Sequence, residues 1–165
     1  MAVLVSDTSV LIDLERASLL DEMFLLPFEF AVPDLLYDRE LAGELGDRLV
    51  GLGLRVEELT STELRRATVV NRQYARLSAP DTFAFALAES RKWGLLTGDG
   101  VLRELAVTEQ VEMHGVLWLF DQLAAGDHVP KERLHGGLSN LAGHPRCRLP
   151  ASELRKRLVR FSLQA

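Results

Sequence analysis

Short apolar segments alternate along this chain with longer stretches of helical periodicity, and this alternation is the strongest constraint on its fold. Residues 2–6 are apolar and β-branched, and shorter strand-like runs follow at 28–32, 54–59, 95–97 and 111–113. Segments with the spacing of amphipathic helices lie between them. Strands that alternate with helices indicate an α/β fold with a mostly parallel central sheet.

Capping signals fix where several of the helices begin. Thr60 with Glu63, and Ser78 with Asp81, have the capping-box spacing, and Pro80 suits the first turn of the second of these helices. They predict helices at 61–77 and from 79 to about Gly94. A helix is also expected at about 34–44, and three more at 116–125, 131–141 and 152–161. We therefore expect one domain over residues 1–125, with a C-terminal helical extension at 126–165 packed on it.

Composition excludes several classes of protein. The 165 residues include one cysteine, Cys147, so an internal disulfide framework and a multi-cysteine zinc site are excluded. No apolar run approaches the roughly 20 residues that span a bilayer, and the N-terminus does not resemble a signal peptide. The expectation is a cytoplasmic protein with no membrane association. Eight of the 19 Lys/Arg and only two of the 24 Asp/Glu lie in residues 131–165. This basic segment suits either contact with RNA or an acidic partner, or a solvated helix face.

Acidic side chains lie where a parallel sheet gathers its ligands, beyond the carboxyl ends of the strands. Asp7 ends the first strand, and Asp99 follows the 95–97 strand by two residues. Asp81 lies in the first turn of a helix, and Glu40 lies on the helix after the second strand. Carboxylates at separated positions that converge in space would suit a hard cation such as Mg²⁺ or Mn²⁺.

Each of these acids also has an ordinary structural explanation. Asp7 can cap a helix, Asp81 can favour the helix dipole, Asp99 can serve a turn between glycines, and Glu40 can be a solvated helix acid. Periodicity alone therefore leaves both explanations open.

The motifs around these acids, taken together, resemble those of the PIN-domain family. The resemblance rests on three segments in order, Val5-Ser6-Asp7-Thr8-Ser9-Val10-Leu11-Ile12-Asp13-Leu14, Ser78-Ala79-Pro80-Asp81 and Leu95-Leu96-Thr97-Gly98-Asp99-Gly100-Val101-Leu102-Arg103. The downstream His114-Gly115-Val116-Leu117-Trp118-Leu119 is similar to a segment found in a subgroup of prokaryotic PIN proteins. The resemblance covers about residues 1–125.

The resemblance implies a three-layer α/β/α fold and a Mg²⁺- or Mn²⁺-dependent ribonuclease. Many bacterial members are VapC-like toxins, which are commonly dimeric and pair with a small antitoxin protein. Carried onto this sequence, the acidic quartet that holds the metal would be Asp7, Glu40, Asp81 and Asp99. Glu40 is preferred to Asp38 because residues two apart on a helix point roughly 200° from each other, and Leu36 and Leu41 would flank Glu40 on the apolar side.

The remaining site assignments concern residues next to these acids. Thr8, Ser9 and Thr97 are expected to orient the carboxylates through their hydroxyls, and Arg103 to meet substrate phosphate or to be surface charge. Two other functions compete with the nuclease. One is a PIN-like module that binds protein or RNA without chemistry, and the other is a different α/β phosphoryl-transfer protein, although the chain has no phosphate-binding glycine loop.

Overall fold

A computed structural model describes residues 1–162, in which five parallel strands form one sheet flanked by helices. The strands are β1 (Ala2–Ser6), β2 (Phe28–Pro33), β3 (Arg55–Glu57), β4 (Gly94–Leu96) and β5 (Met113–His114). Their order in the sheet is β3-β2-β1-β4-β5, and all four neighbouring pairs are parallel. The α/β class and the parallel sheet predicted from the alternating pattern are confirmed.

Ten α-helices connect or cover these strands within the described residues. They are α1 (Thr8–Arg16), α2 (Leu20–Met23), α3 (Asp34–Leu36), α4 (Glu44–Leu52), α5 (Ser61–Gln73), α6 (Ala79–Arg91), α7 (Gly100–Thr108), α8 (Val116–Ala125), α9 (Lys131–Ala142) and α10 (Ala151–Ser162). Both predicted capping boxes are present, at the starts of α5 and α6. Within residues 1–162 no helix combines the length and the apolar character that crossing a bilayer requires.

The core lies on both faces of the central strands. Leu4, Val5 and Leu95 in β1 and β4 are almost completely buried, which is why these strands are apolar on successive residues rather than on alternate ones. Helix α6 packs against β1, β2 and β4. Three of its seven buried residues are alanines, and Phe85 and Leu87 are the large apolar side chains among them.

One predicted helix, at 34–44, is wrong in its boundaries. Helix α3 ends after one turn and passes into a π-helical turn, Tyr37–Leu41. Gly43 then adopts φ +124°, which glycine tolerates and other residues do not, and the unpredicted helix α4 begins at Glu44. A second glycine, Gly53 at φ +119°, ends α4.

The C-terminal helices pack on the preceding structure. Helix α9 contacts α1 and α8, and α10 lies against α9. Arg157 of α10 donates to both carboxylate oxygens of Asp121 on α8, at 3.0 and 2.8 Å. The last three residues of the predicted 126–165 extension lie outside the described residues.

Candidate active site

Asp7 lies at the carboxyl end of the central strand and is the most buried of the candidate acids. Its side chain is 2% exposed, and its backbone N–H continues the pairing of β1 with β4 by donating to Leu96 O at 2.9 Å. The carboxylate caps α1: Oδ1 accepts from the Val10 N–H and from the Ser9 hydroxyl, both at 2.9 Å. Oδ2 accepts from the Gly98 N–H at 3.3 Å, across from the end of β4.

Thr97 connects Asp7 to Asp99. The Thr97 side chain is completely buried, and its hydroxyl hydrogen-bonds the Asp7 carboxylate. The Thr97 hydroxyl oxygen also accepts from the backbone N–H of Asp99 at 3.0 Å. Asp99 in turn caps α7 by accepting from the Leu102 N–H at 2.9 Å. The end of β1 and the start of α7 are therefore joined through one hydroxyl.

Asp81 lies at the start of α6, within the electric field of the other two aspartates. It forms the capping box with Ser78, with its N–H donating to Ser78 Oγ at 3.2 Å and its Oδ2 accepting from Ser78 N at 3.3 Å. Burial raises the pKa of Asp81, the hydrogen bonds with Ser78 oppose that rise, and the negative charges of Asp7 and Asp99 add to it. The three aspartates thus interact electrostatically although they are widely separated in sequence.

Glu40 reaches the same region through Thr8. It lies in the π-helical turn after β2, and its Oε1 accepts from the Thr8 hydroxyl at 2.5 Å. Thr8 directly follows Asp7 in the chain. Asp38 is exposed, and its side chain forms no hydrogen bond or ion pair within residues 1–162. The α-helical spacing used to choose between the two does not apply in a π-turn; the contact with Thr8 is what links Glu40 to this edge of the sheet.

Two acids of this protein are equally inaccessible to solvent, but Asp7 lies deeper in the protein than Glu63 and has a different electrostatic environment. Glu63 is 2% exposed, as is Asp7. Burial favours a raised pKa in Glu63, but hydrogen bonds from Arg91 and from the Thr60 N–H, with the charge of Arg91, bring its pKa below the ordinary value. Burial also raises the pKa of Asp7, and there the hydrogen bonds, which all come from uncharged groups, do not reverse it. Asp7 is therefore a buried acid whose charged form is not neutralised by any basic side chain of residues 1–162.

The same lack of neutralisation holds for the other three candidate acids. In the part of the chain that the structure describes, none of the four forms an ion pair with Lys, Arg or His. Three of them, Asp7, Asp81 and Asp99, are at the N-termini of helices, where the helix dipole favours negative charge. This favourable field is how the fold tolerates several unpaired acids at one edge of the sheet.

The donor set fits a hard divalent cation, although the side chains do not form a closed cluster. Among residues 1–162 no three His, Cys, Asp or Glu side chains lie close enough together to hold a metal as they stand. Each carboxylate is anchored separately to a helix start or to a hydroxyl. The chemistry of the set, oxygen donors with excess negative charge, is the chemistry that Mg²⁺ and Mn²⁺ prefer.

Arg103 and the C-terminal segment lie beside these acids. Arg103 is one turn into α7, with its N–H donating to Asp99 O at 3.0 Å. It lines a groove of about 580 Å³ together with Thr97, Asp99, Arg148 and residues of α10. Sequence reasoning did not identify this groove, because the basic composition of residues 131–165 did not indicate which of its side chains share a groove with the acids.

Comparison with known proteins agrees with the fold. The chain matches the sequence model of a PIN-domain family over residues 3–162, a range that includes α9 and α10. No curated protein matches it. PIN domains are generally nucleases that act on nucleic acid and use divalent metals. Because the match spans nearly the whole chain and the parallel sheet agrees with it, this protein belongs to the PIN-domain family.

Proposed function

We propose that this PIN domain is a Mg²⁺- or Mn²⁺-dependent endoribonuclease, with Asp7, Glu40, Asp81 and Asp99 as its cation ligands. The observation that carries the proposal is the buried, unneutralised charge of Asp7, which interacts with Asp81 and Asp99. A buried carboxylate without a basic partner is costly, and a bound cation would offset that cost. The contrast with Glu63, which has Arg91, supports a role for Asp7 beyond folding.

Hydroxyl groups and backbone N–H groups would hold the carboxylates in position for a cation. Asp7 is fixed by four hydrogen bonds, so its oxygens keep one orientation. Ser9 and Thr97 supply two of these bonds, and Thr8 holds Glu40. Such hydroxyl contacts typically orient metal ligands. When bound, the cation would activate a water for attack on phosphorus and stabilise the charge on the phosphate. Arg103 is free to contact the substrate phosphate.

The direct test is cleavage of single-stranded RNA by purified protein with Mg²⁺ or Mn²⁺. Asp99→Asn keeps the size of the side chain and an acceptor for the Leu102 N–H. We expect it to lower the cleavage rate by at least about a hundredfold, since a metal site contributes several kcal/mol to transition-state stabilisation. Glu104→Gln, an exposed acid on the same helix, is the matched control and should retain activity. Full activity of Asp99→Asn with excess metal would refute the assignment.

We also propose that the protein is the toxin of a toxin–antitoxin pair. The motif resemblance to VapC-like toxins supports a cytoplasmic toxin that acts as a homodimer and is held by a small antitoxin protein. Induced expression should then arrest growth, and Asp99→Asn should relieve the arrest. Co-expression of a small neighbouring gene that restores growth would identify the antitoxin, and growth unaffected by the active protein would contradict the toxin role.

A second candidate function is a PIN-like binding module without catalysis. The separately anchored carboxylates favour it, since no closed metal cluster exists among residues 1–162. Calorimetric titration with Mn²⁺ distinguishes the two functions. A heat of Mn²⁺ binding that saturates at a low stoichiometry in wild type and disappears in Asp7→Asn supports the nuclease. No heat of binding in wild type supports the binding module.

A further inference from the structure

The segment that carries Glu40 departs from α-helical geometry for one turn. The Ala42 N–H donates to Tyr37 O at 2.8 Å, five residues back instead of the four of an α-helix. Because this turn holds one residue more than an α-helical turn, its side chains point in other directions than an uninterrupted helix would give them. One of them is the Glu40 carboxylate, which accepts from the Thr8 hydroxyl at 2.5 Å. The position of Glu40 therefore depends on the contacts that impose the π-turn.

Helix α4 packs against this turn through a glycine that leaves no room for a side chain. Gly46 lies in the first turn of α4 and is buried. A Cβ at this position would lie 2.6 Å from Leu41 O, 2.7 Å from Tyr37 Oη and 2.9 Å from Tyr37 Cζ, all closer than real Cβ atoms approach their neighbours. Tyr37 and Leu41 are the first and last residues of the turn. The close approach at Gly46 therefore holds both ends of the π-turn against α4.

A second contact ties the turn to helix α6. The Arg39 guanidinium lies over the Phe83 ring, with 5.4 Å between Cζ and the ring centroid. That guanidinium forms no hydrogen bond or ion pair within the described part of the chain, so Phe83 is the contact that orders it. Phe83 comes two residues after Asp81 on α6. The turn is thus connected to α1 through Glu40, to α4 through Tyr37 and to α6 through Arg39.

We propose that Gly46 and Phe83 are positioning residues for Glu40, an inference that rests on the proposed function. Gly46 lets α4 approach closely enough to impose the π-turn, and Phe83 holds Arg39, the residue directly before Glu40. Both act through the turn, which directs the Glu40 carboxylate to Thr8 beside Asp7. A ligand that is already ordered loses less conformational freedom when a cation binds, so the cation binds more tightly.

The first test is the affinity for Mn²⁺, measured by calorimetry on the full chain. Gly46→Ala adds the Cβ that collides with Leu41 O, a backbone atom that moves only if the turn moves. We expect it to raise the Kd for Mn²⁺ about tenfold, as the loss of a group that orients a metal ligand typically does. Gly51→Ala is the matched control on the same helix, because a Cβ there meets no atom within 4 Å. It should bind Mn²⁺ with the affinity of wild type.

A double-mutant cycle separates positioning from a general loss of structure. If Gly46 acts through Glu40, adding Gly46→Ala to Glu40→Gln should leave the Kd close to that of Glu40→Gln alone. Effects that multiply would show that Gly46→Ala disturbs the site by another route, and would overturn the inference. Hydrogen exchange in EDTA supplies a readout without metal. The Ala42 amide should lose its protection in Gly46→Ala and keep it in Gly51→Ala.

Phe83→Leu decides the question if Gly46→Ala does not fold. It keeps an apolar side chain on α6 and removes the ring under Arg39 without changing any charge. An exposed cation–π contact corresponds to about twofold to fivefold in an equilibrium constant, so the Kd for Mn²⁺ should rise by that factor. The rise should disappear when Glu40 is already Gln. A wild-type Kd in Phe83→Leu would then overturn the inference.

Metal binding and hydrogen exchange keep the two proposals apart. A wild-type Kd in Gly46→Ala and Phe83→Leu, with a raised Kd in Glu40→Gln, overturns the positioning inference and leaves the nuclease proposal intact. Wild type that binds no Mn²⁺ overturns the proposed function. Protection of the Ala42 amide in Gly46→Ala equal to that in wild type overturns the positioning inference whether or not the metal binds.

Discussion

Replacing Asp7 by Asn removes a buried charge while nearly preserving the shape of the side chain. The Asn oxygen can still accept from Val10 and Ser9, but the amide nitrogen faces the Gly98 N–H, where the carboxylate accepts at 3.3 Å. One hydrogen bond is lost, at a cost of about 1 kcal/mol. For a chain of this size that corresponds to a Tm lower by about 2–4 °C, when both side chains are uncharged.

The stability of the metal-free protein should fall, relative to that of Asp7→Asn, as the pH rises. Because burial raises the folded-state pKa of Asp7 above 3.8, the folded protein holds a proton that the unfolded chain has released. Wild type therefore loses stability relative to Asp7→Asn as the pH rises from about 4 until the raised pKa of Asp7 is passed. For each unit by which burial raises the pKa of Asp7, wild type loses about 1.36 kcal/mol of folding stability by pH 8. The Tm of Asp7→Asn should then be higher by roughly 3–5 °C relative to wild type at that pH.

A bound cation should make wild type more stable than Asp7→Asn. At a Mn²⁺ concentration about a hundredfold above its Kd, the folded state gains about 2.7 kcal/mol, which raises the Tm of wild type by about 5–11 °C. Asp7→Asn lacks the charge that attracts the ion, so its Tm should not respond.

Thermal unfolding followed by circular dichroism, in EDTA and in Mn²⁺ across a pH series, measures both effects. Asp47→Asn, at an exposed acid on α4, is the control and should follow wild type throughout. A Tm of metal-free wild type that rises relative to Asp7→Asn between pH 4 and 8 would refute the electrostatic reasoning. An equal Mn²⁺ response in the two proteins would remove Asp7 from the ligand set.

Two further predictions concern acids that are distinguished by their contacts. Glu40→Gln should lower RNA cleavage about tenfold to a hundredfold through the lost contact with the cation, whereas Asp38→Asn should leave the rate unchanged; equal effects in a cleavage assay would contradict the choice of Glu40. Arg91→Ala leaves Glu63 charged and buried, so the free energy of unfolding measured with urea at pH 7 should fall by about 3–5 kcal/mol. This loss of stability should shrink as the pH falls through the lowered pKa of Glu63 in the folded protein. The control is Arg72→Ala, which removes an exposed cation on α5 and should lower the free energy of unfolding by less than about 0.5 kcal/mol.

Short local patterns predict the bounds or the first residue of several elements correctly. The apolar run at 2–6 is β1, the pattern at 116–125 is α8, and both capping boxes start helices where the spacing predicts. They also located Asp7 and Asp99 at strand ends, which a parallel sheet necessarily brings to one edge. These features depend on interactions within one turn or one strand, so a short stretch of sequence suffices to specify them.

Features that depend on distant partners were not available from the sequence. Nothing in the pattern around residue 40 indicated that the chain forms a π-turn and that Gly43 separates it from a new helix, since that break depends on how α4 packs. The placement of Arg148 in the same groove as Arg103 likewise required the C-terminal helices to fold back against α8.

The alternation of strands and helices in the sequence is enough to predict the parallel α/β architecture and to name the candidate acids. Which of the two solvent-inaccessible acids, Asp7 and Glu63, has a basic partner depends on the folded chain. Arg91 lies 28 residues from Glu63 and reaches it because α6 packs on α5. At the end of β1, no basic side chain among residues 1–162 pairs with Asp7. Charge pairing at a buried site is set by which side chains the fold brings within a few ångströms, and spacing along the chain carries no information about that.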